Sequence, residues 1–294
     1  MEKLDQWTPQ GLANTVHGFA KRKYRTSIFD RVANQVVERP NLLQFDPQNL
    51  SNILWSFATI KYAHYQLFEK VGNHIVQLPN LNQFNQQNLS NIVWSYAKTD
   101  IAHPQLFQSV GNHIVQLSNL NAFTSQSLSI TVWAFAKRGY NHDALFEKVA
   151  NHLLVRNDLL ANYDLPCISM TIWAFSQCQC QHPEFFELLI DHILQRDDLD
   201  DFPFASLMNA VACLNKFTTA PKELMDKVLN AAIERNEIQE LRRLSETMFP
   251  GEKEMCFNPS CTDCEKHHIN DINLMKILLQ RRFERRYEEE EEGM

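Results

Sequence analysis

The chain of 294 residues is long enough for one or two domains with a substantial buried core. Its net charge of −7 at pH 7 disfavours a strongly electrostatic nucleic-acid binder, because phosphate neutralisation needs clustered Lys and Arg. With 7 glycines and 11 prolines, the composition also disfavours a fold of many strands and tight turns. The longest apolar stretch, residues 165–175, is too short to cross a bilayer, and the N-terminal MEKLDQWTPQGLA resembles neither a secretory signal nor a transit peptide. These features alone predict a cytoplasmic protein without a membrane partner.

Nearly the same ten residues occur twice early in the chain, as NLSNILWSFA (Asn49–Ala58) and NLSNIVWSYA (Asn88–Ala97). Weaker copies are LANTVHGFA from residue 12, LSITVWAFA from residue 128 and ISMTIWAFS from residue 168. The tryptophans of this block are spaced by 39, 39 and 40 residues, at Trp55, Trp94, Trp133 and Trp173. A second block, such as LFEKVGNHIVQL (Leu67–Leu78), follows each copy. The period predicts about six repeats between residues 8 and 241.

Both blocks carry apolar residues at helical spacing, three and four positions apart. In the first block these are Leu50, Ile53, Leu54 and Phe57, and in the second Leu67, Val71 and Ile75. Pro104, Pro183 and Pro221 stand where the second helix should begin, a position that proline favours. One helical hairpin cannot bury both of its faces, so neighbouring hairpins must stack. We therefore predict an all-α protein, a right-handed α-solenoid of about six helical hairpins.

The tryptophan column has two interpretations. Aromatic side chains dominate protein cores, which favours packing between repeats. A periodic row of rings is also suited to the stacking of nucleic-acid bases. The column is polar at both ends, with His17 in the first repeat and Asn209 in the sixth, as expected for outer repeats with one unpaired side.

Polar residues recur on the second helix, on the side opposite its apolar stripe. They are Asn34, Asn73, Asn112, Asn151, Asp191 and Asn230. These residues are candidate partner contacts in a groove, or a structural ladder in which each amide bridges to a neighbouring backbone. Two histidine columns accompany them, His74, His113, His152 and His192 beside the stripe and His64, His103, His142 and His182 before the helix. Packed helices lie about 8–10 Å apart, too far for one shared metal ion, so we expect core-edge and capping histidines, or a row of imidazoles that contacts RNA or a partner.

The segment PQNLSNILWSFATIKY (Pro47–Tyr62) resembles the octotricopeptide repeat, with its Pro-Gln-x-Leu-x-Asn-x-x-Trp-x-x-Ala pattern. It is also similar to the helical repeats of RAP-domain and FAST kinase-like proteins and of kinetoplastid RNA-editing substrate-binding complex subunits. The resemblance covers residues 8–241 and implies a non-enzymatic RNA-binding protein of RNA processing, stability, translation or editing, in a mitochondrion or other organelle. It makes Asn14, Asn52 and Asn91 candidate contacts to single-stranded RNA. The fourth and fifth copies depart from the pattern, with Ile130 and Met170 at this position, and no RAP domain is recognisable.

Repeat proteins bind extended partners along a continuous surface, so an extended peptide is the alternative partner. The protein would then be an interaction scaffold or a secreted effector, since similar repeats occur in effectors of intracellular bacteria. The sequence has no Gly-rich phosphate loop, nucleophile elbow or His-Glu metalloprotease helix, so we expect neither an enzyme nor a small-molecule substrate. One dense basic patch interrupts the repeats, and it is either a solvated face or a phosphate contact. It consists of Lys21, Arg22, Lys23, Tyr24 and Arg25.

The sequence CFNPSCTDCEKHH after the repeats breaks their period. Cys256, Cys261, Cys264 and His267 or His268 lie within 13 residues, and Cys261-x-x-Cys264 is a short-spaced pair of the kind found in zinc sites. We predict either a structural Zn²⁺ site or reduced surface thiols. The Cys/His cluster and a following amphipathic helix make up a C-terminal segment over residues 242–287, and residues 288–294 form an acidic tail that we expect to be disordered.

Overall fold

The computed structural model describes residues 7–156, 158, 160, 163–178 and 182–195, which contain ten α-helices and no strand. The helices are α1 (Pro9–Lys21), α2 (Ile28–Glu38), α3 (Pro47–Thr59), α4 (Tyr65–Gln77), α5 (Gln86–Thr99), α6 (Pro104–Gln116), α7 (Ser125–Lys137), α8 (Asp143–Val155), α9 (Leu165–Gln177) and α10 (Pro183–Leu194). The chain divides into two compact units, Met1–His182 and Pro183–Met294, so α1–α9 belong to the first unit and α10 to the second. The all-α prediction is confirmed. The predicted sixth repeat, C-terminal segment and acidic tail lie outside the described residues.

The nine helices of the first unit alternate between two layers. Helices α1, α3, α5, α7 and α9 pack against one another in sequence, and we call them layer A. Helices α2, α4, α6 and α8 pack in a parallel series, which we call layer B. Each hairpin therefore contributes one helix to each layer, as in the predicted solenoid.

Side chains that precede the helices cap their N-termini. In layer A, Thr8, Asp46, Asn85, Thr124 and Asp164 each accept a hydrogen bond from the backbone N–H three residues later. In layer B, Nδ1 of His64, His103 and His142 accepts the equivalent bond, at 3.2, 3.2 and 3.3 Å. The capping role predicted for this histidine column is thereby confirmed at three positions. Pro104 and Pro183 begin α6 and α10, as the sequence predicts.

Layer-A helices end at a residue in the left-handed backbone conformation. The φ angles are 53° at Lys23, 56° at Lys61, 64° at Asp100 and 66° at Gly139. At the end of α1, the N–H of Tyr24 donates to the carbonyl of Phe19 and the N–H of Lys23 donates to that of Ala20. This pair of bonds is a Schellman motif, which satisfies the last carbonyls of the helix and turns the chain toward layer B.

One aromatic pair is repeated through the core. A Phe of layer B meets an aromatic ring of the next layer-A helix edge to face, with centroids 5.0–5.1 Å apart. The pairs are Phe29–Phe57, Phe68–Tyr96, Phe107–Phe135 and Phe146–Phe175. Tyr96 is fully buried and its hydroxyl donates to the carbonyl of Phe68 at 2.6 Å. Among the described helices, none combines the length and apolar character that a membrane span requires.

Candidate functional site

A groove of about 820 Å³ crosses layer A and is lined by α1, α3, α5 and α7. On α3, Gln48, Asn52 and Trp55 face it, and on α5 the equivalent residues are Gln87, Asn91 and Trp94. These positions lie three or four residues apart, so they form one stripe along each helix. Neighbouring stripes align into a glutamine row, an asparagine row and an aromatic row. The asparagine and aromatic rows were recognisable from the repeat. The glutamine row, which lies seven residues before Trp55, Trp94 and Trp133, was not predicted from the sequence.

The aromatic row begins at the first repeat and continues between repeats. The rings of His17 and Trp55 have centroids 4.9 Å apart, and those of Trp55 and Trp94 are stacked with centroids 6.5 Å apart and an angle of 26°. The tryptophan side chains are half-buried and line the groove. The rings therefore pack between repeats and remain accessible to a ligand, so the two interpretations of the tryptophan column are compatible.

The asparagines that the resemblance singles out lie on layer A. Asn52 and Asn91 are half-buried and line the groove, and Asn14 is exposed on α1. In the part of the chain that the structure describes, the side-chain amides of Asn52 and Asn91 have no hydrogen-bond partner in the protein. An unsatisfied amide can both donate to and accept from a ligand.

The second polar column has a different environment. Asn34, Asn73, Asn112 and Asn151 are exposed on layer B, Asp191 is exposed on α10, and Asn230 lies outside the described residues. The Oδ1 atoms of Asn73 and Asn112 lie 3.2 and 3.1 Å from Nε2 of His103 and His142 in the following repeat. Because Nδ1 of each ring accepts a backbone N–H, Nε2 carries the proton and donates to the asparagine. At these two junctions the column forms a ladder between side chains, which differs from the bridge to the backbone that was one of its two interpretations. Its other interpretation, a row of contacts to a partner, stays a prediction.

The basic patch does not act as a single cluster. Lys21 lines the groove, while Arg22, Lys23 and Tyr24 are exposed in the loop after α1. The guanidinium of Arg25 lies 4.1 Å from the centre of the Tyr62 ring, a cation–π contact to the second repeat. Of the patch, Lys21 is therefore the residue that the structure brings to the groove.

Burial affects the protonation of His17, which lines the groove. Burial and the neighbouring Lys21 lower the pKa of His17, so its ring is neutral at physiological pH. Its Nδ1 atom is buried without a hydrogen-bond partner in the described part of the protein. His17 therefore extends the row as a neutral aromatic group with a free nitrogen.

No group of three or more His, Cys, Asp or Glu side chains suited to a metal ion occurs among the described residues. The predicted zinc ligands Cys256, Cys261, Cys264, His267 and His268 lie outside those residues, so the zinc site stays a prediction. Burial raises the pKa of the Cys167 thiol to about 12, which keeps it protonated and poorly reactive.

Stacked hairpins with an open polar groove on one layer define the chain as an α-solenoid repeat protein. The model of the RNA-editing substrate-binding complex 6 protein family matches residues 10–249. The chain therefore belongs to this family. A search of curated proteins found no match to the chain. Of the predicted relationships, the one to RNA-editing substrate-binding complex subunits is confirmed, and those to octotricopeptide, RAP-domain and FAST kinase-like proteins stay resemblances.

Proposed function

We propose that this protein is a non-catalytic component of an RNA-editing complex and that it binds single-stranded RNA in the layer-A groove. The observation that carries the proposal is the aromatic row of His17, Trp55 and Trp94 beside the unsatisfied amides of Asn52 and Asn91. Aromatic rings stack on any base, and side-chain amides bond the edges of unpaired bases. The family description, which names an RNA-editing substrate-binding complex, supports the same ligand.

The geometry favours single strands over duplexes. The aromatic row and the amide rows lie together within one groove, so a base must leave its partner to stack on a ring and present its edge to an amide. In an A-form duplex the bases are stacked on one another, and proteins recognise mainly shape, phosphates and 2′-hydroxyls. We therefore expect a short oligouridylate to bind and the corresponding duplex to compete weakly.

The decisive variant removes one ring of the row. Base–aromatic stacking contributes about 1–3 kcal/mol, so Trp94→Ala should weaken binding of fluorescein-labelled oligouridylate by roughly 5- to 150-fold in fluorescence anisotropy. Tyr65→Ala is the matched control, because Tyr65 is a 60% exposed aromatic residue on layer B, outside the groove. It should leave the affinity unchanged.

A second variant separates loss of binding from loss of folding. Asn91→Ala removes a groove amide without removing a ring, and Asn91 is half-exposed. We expect its thermal unfolding to stay close to that of the original protein while RNA affinity falls. If RNA does not bind the unaltered protein at low salt, or if both groove variants bind as tightly as Tyr65→Ala, the proposal is wrong.

An extended peptide is the second candidate ligand, because the same unsatisfied amides of Asn52 and Asn91 can bond a peptide backbone. The protein would then be a scaffold within the complex. Cross-linking of the complex distinguishes the two ligands, since RNA predicts nucleotide adducts on Trp55 or Trp94 and a peptide predicts protein adducts. The resemblance further supports a mitochondrial location, which fractionation of the native cells would test.

A further inference from the structure

The acidic residues of the first unit are segregated from layer A. Between their first and last residues, the five layer-A helices contain no Asp or Glu and contain three lysines, Lys21, Lys98 and Lys137. The four layer-B helices contain five carboxylates and three cations. The net negative charge of the chain therefore does not extend to the layer-A helices. Although the overall charge disfavours RNA binding, the charge of layer A does not.

The three lysines form a row parallel to the aromatic row. Each lies four residues after a member of the aromatic column, which is His17, Trp94 or Trp133, and each is exposed. Four residues correspond to about 6 Å along a helix, so each cation lies one turn beyond a ring on the same stripe. On α3 the corresponding residue is Thr59, which leaves a gap between Lys21 and Lys98, and on α9 it is Gln177, so the row ends at α7.

A structural role does not account for this row. Cations in the last turn of a helix are favoured by the helix dipole. At layer-B helix ends, cations that meet this dipole bond the last carbonyls, as Lys70 does at α2 and Lys148 at α6. In the residues that the structure describes, the ammonium groups of the layer-A lysines make no such hydrogen bond. In the described part of the chain, no carboxylate pairs with Lys21, Lys98 or Lys137. These lysines are therefore unpaired cations beside an accessible groove.

The two edges of layer A differ in charge. At the N-terminal edge, the carboxylates of Asp46 and Asp164 cap α3 and α9. At the C-terminal edge, Asp100 pairs with Arg138 of the next repeat, and the other charged side chains of this edge, among them the three lysines, are cations. This difference favours placing the phosphates of a polyanion along the C-terminal edge.

From this asymmetry we propose that the sugar-phosphate backbone of the single-stranded RNA follows the lysine row of Lys21, Lys98 and Lys137, with the bases turned toward the aromatic and amide rows. The inference rests on the proposed function and adds the position of the strand within the groove. It also identifies Lys98 and Lys137, which are not among the candidate site residues above, as phosphate contacts.

Counterion release gives the test. For single strands, each neutralised phosphate adds about 0.7 to the magnitude of the slope of log affinity against log salt. We expect the double variant Lys98→Gln, Lys137→Gln to reduce this slope by about 1.4 for fluorescein-labelled oligouridylate. Thr59→Lys fills the gap in the row and should increase the slope by about 0.7 and tighten binding at low salt.

Control variants that change the charge in the same direction lie on layer B. Arg31→Gln removes an exposed cation of α2, and Gln116→Lys adds one at the exposed last residue of α6. Both should leave the slope unchanged, and circular dichroism should show an unaltered helical content for all four variants.

If the layer-A variants leave the slope unchanged while Trp94→Ala still weakens binding, the proposed position of the backbone is wrong and the proposed function stands. If Arg31→Gln lowers the slope as much as a layer-A lysine does, the attraction is non-specific and the inference is also wrong. Binding of an acidic peptide in place of RNA would overturn both.

Discussion

Nε2 of His103 lies 3.2 Å from Oδ1 of Asn73, thirty residues earlier and in the preceding repeat. Nδ1 of the same ring accepts the N–H of Leu106 and so caps α6. One neutral imidazole therefore starts a helix and ties it to the previous hairpin. The His103 ring approaches α4 very closely. A Cβ atom added at Gly72 would lie 2.4 Å from Cδ2 of His103 and 2.5 Å from its Nε2. The missing side chain at Gly72 is what allows this contact.

The first prediction follows from that approach. Gly72→Ala must displace the His103 ring, which weakens both the cap and the bridge, so we expect a loss of about 1–3 kcal/mol in the free energy of unfolding. Gly18→Ala is the matched control, because nothing lies within 4 Å of a Cβ atom there. Alanine favours a helix interior over glycine by about 1 kcal/mol, so Gly18→Ala should stabilise the protein. Equal effects in urea unfolding would contradict this account.

Stability should fall as the solution becomes acidic. Burial lowers the pKa of five histidines below the ordinary value of 6.5, namely His17, His74, His103, His113 and His152. The unfolded chain therefore binds more protons than the folded one, and the stabilisation is complete above pH 6.5 and is lost as the pH falls through the folded-state values. Urea unfolding from ~pH 8 to ~pH 5 should show this loss. His103→Asn, which keeps a capping side chain but does not titrate, should reduce the pH dependence, and an unchanged dependence would exclude His103 as a contributor.

Lysine side chains bond the last carbonyls of two layer-B helices, Lys70 at the end of α2 and Lys148 at the end of α6. Nζ of Lys148 donates to the carbonyl of Val115 at 2.7 Å and to that of Leu117, both at the end of α6. The equivalent position in the third repeat is Ser109, which the repeat period predicts to lie near the end of α4. Lys148→Gln should cost about 1 kcal/mol, and Ser109→Lys should gain a similar amount by creating the missing contact. Thermal unfolding measures both, and a destabilised Ser109→Lys would show that the third junction cannot accommodate the lysine.

The left-handed residues that end layer-A helices give a fourth prediction. Lys61 has a φ of 56° and Gly139, two repeats later, has a φ of 66°. Glycine adopts this conformation without steric cost, so Lys61→Gly should stabilise the protein by about 0.5–1 kcal/mol and Gly139→Ala should destabilise it by about 1 kcal/mol. Opposite shifts in the thermal midpoint are expected, and shifts of the same sign would contradict the role of backbone conformation.

Much of the fold was predictable because each repeat carries the same local signals of helix position and helix start. Helical spacing places Leu50, Ile53 and Phe57 on one buried face, and the structure buries all three. Proline and histidine at the start of the second helix predicted helix starts for local reasons that do not depend on the rest of the chain. Local signals of this kind survive in the folded protein because the hairpins stack on near neighbours.

The site was less predictable, since it depends on which faces meet across repeats. Asn73 and Asn91 both recur with the same period, yet one is engaged by a histidine thirty residues away and the other is free in the groove. The segregation of charge required knowing which helices share a layer, because the composition of the whole chain hides it. The contacts of the asparagine columns with a ligand stay predictions.

The separation of carboxylates from lysines gives the first unit a transverse electric dipole. A long polyanion that diffuses nearby experiences a torque that turns layer A toward it before any contact forms. Layer B, with the exposed carboxylates of Asp30, Glu69 and Glu147, repels the same molecule and so disfavours binding on that layer. In the proposed complex with RNA, such orientation at a distance would leave layer B open to other molecules while the strand is held on layer A.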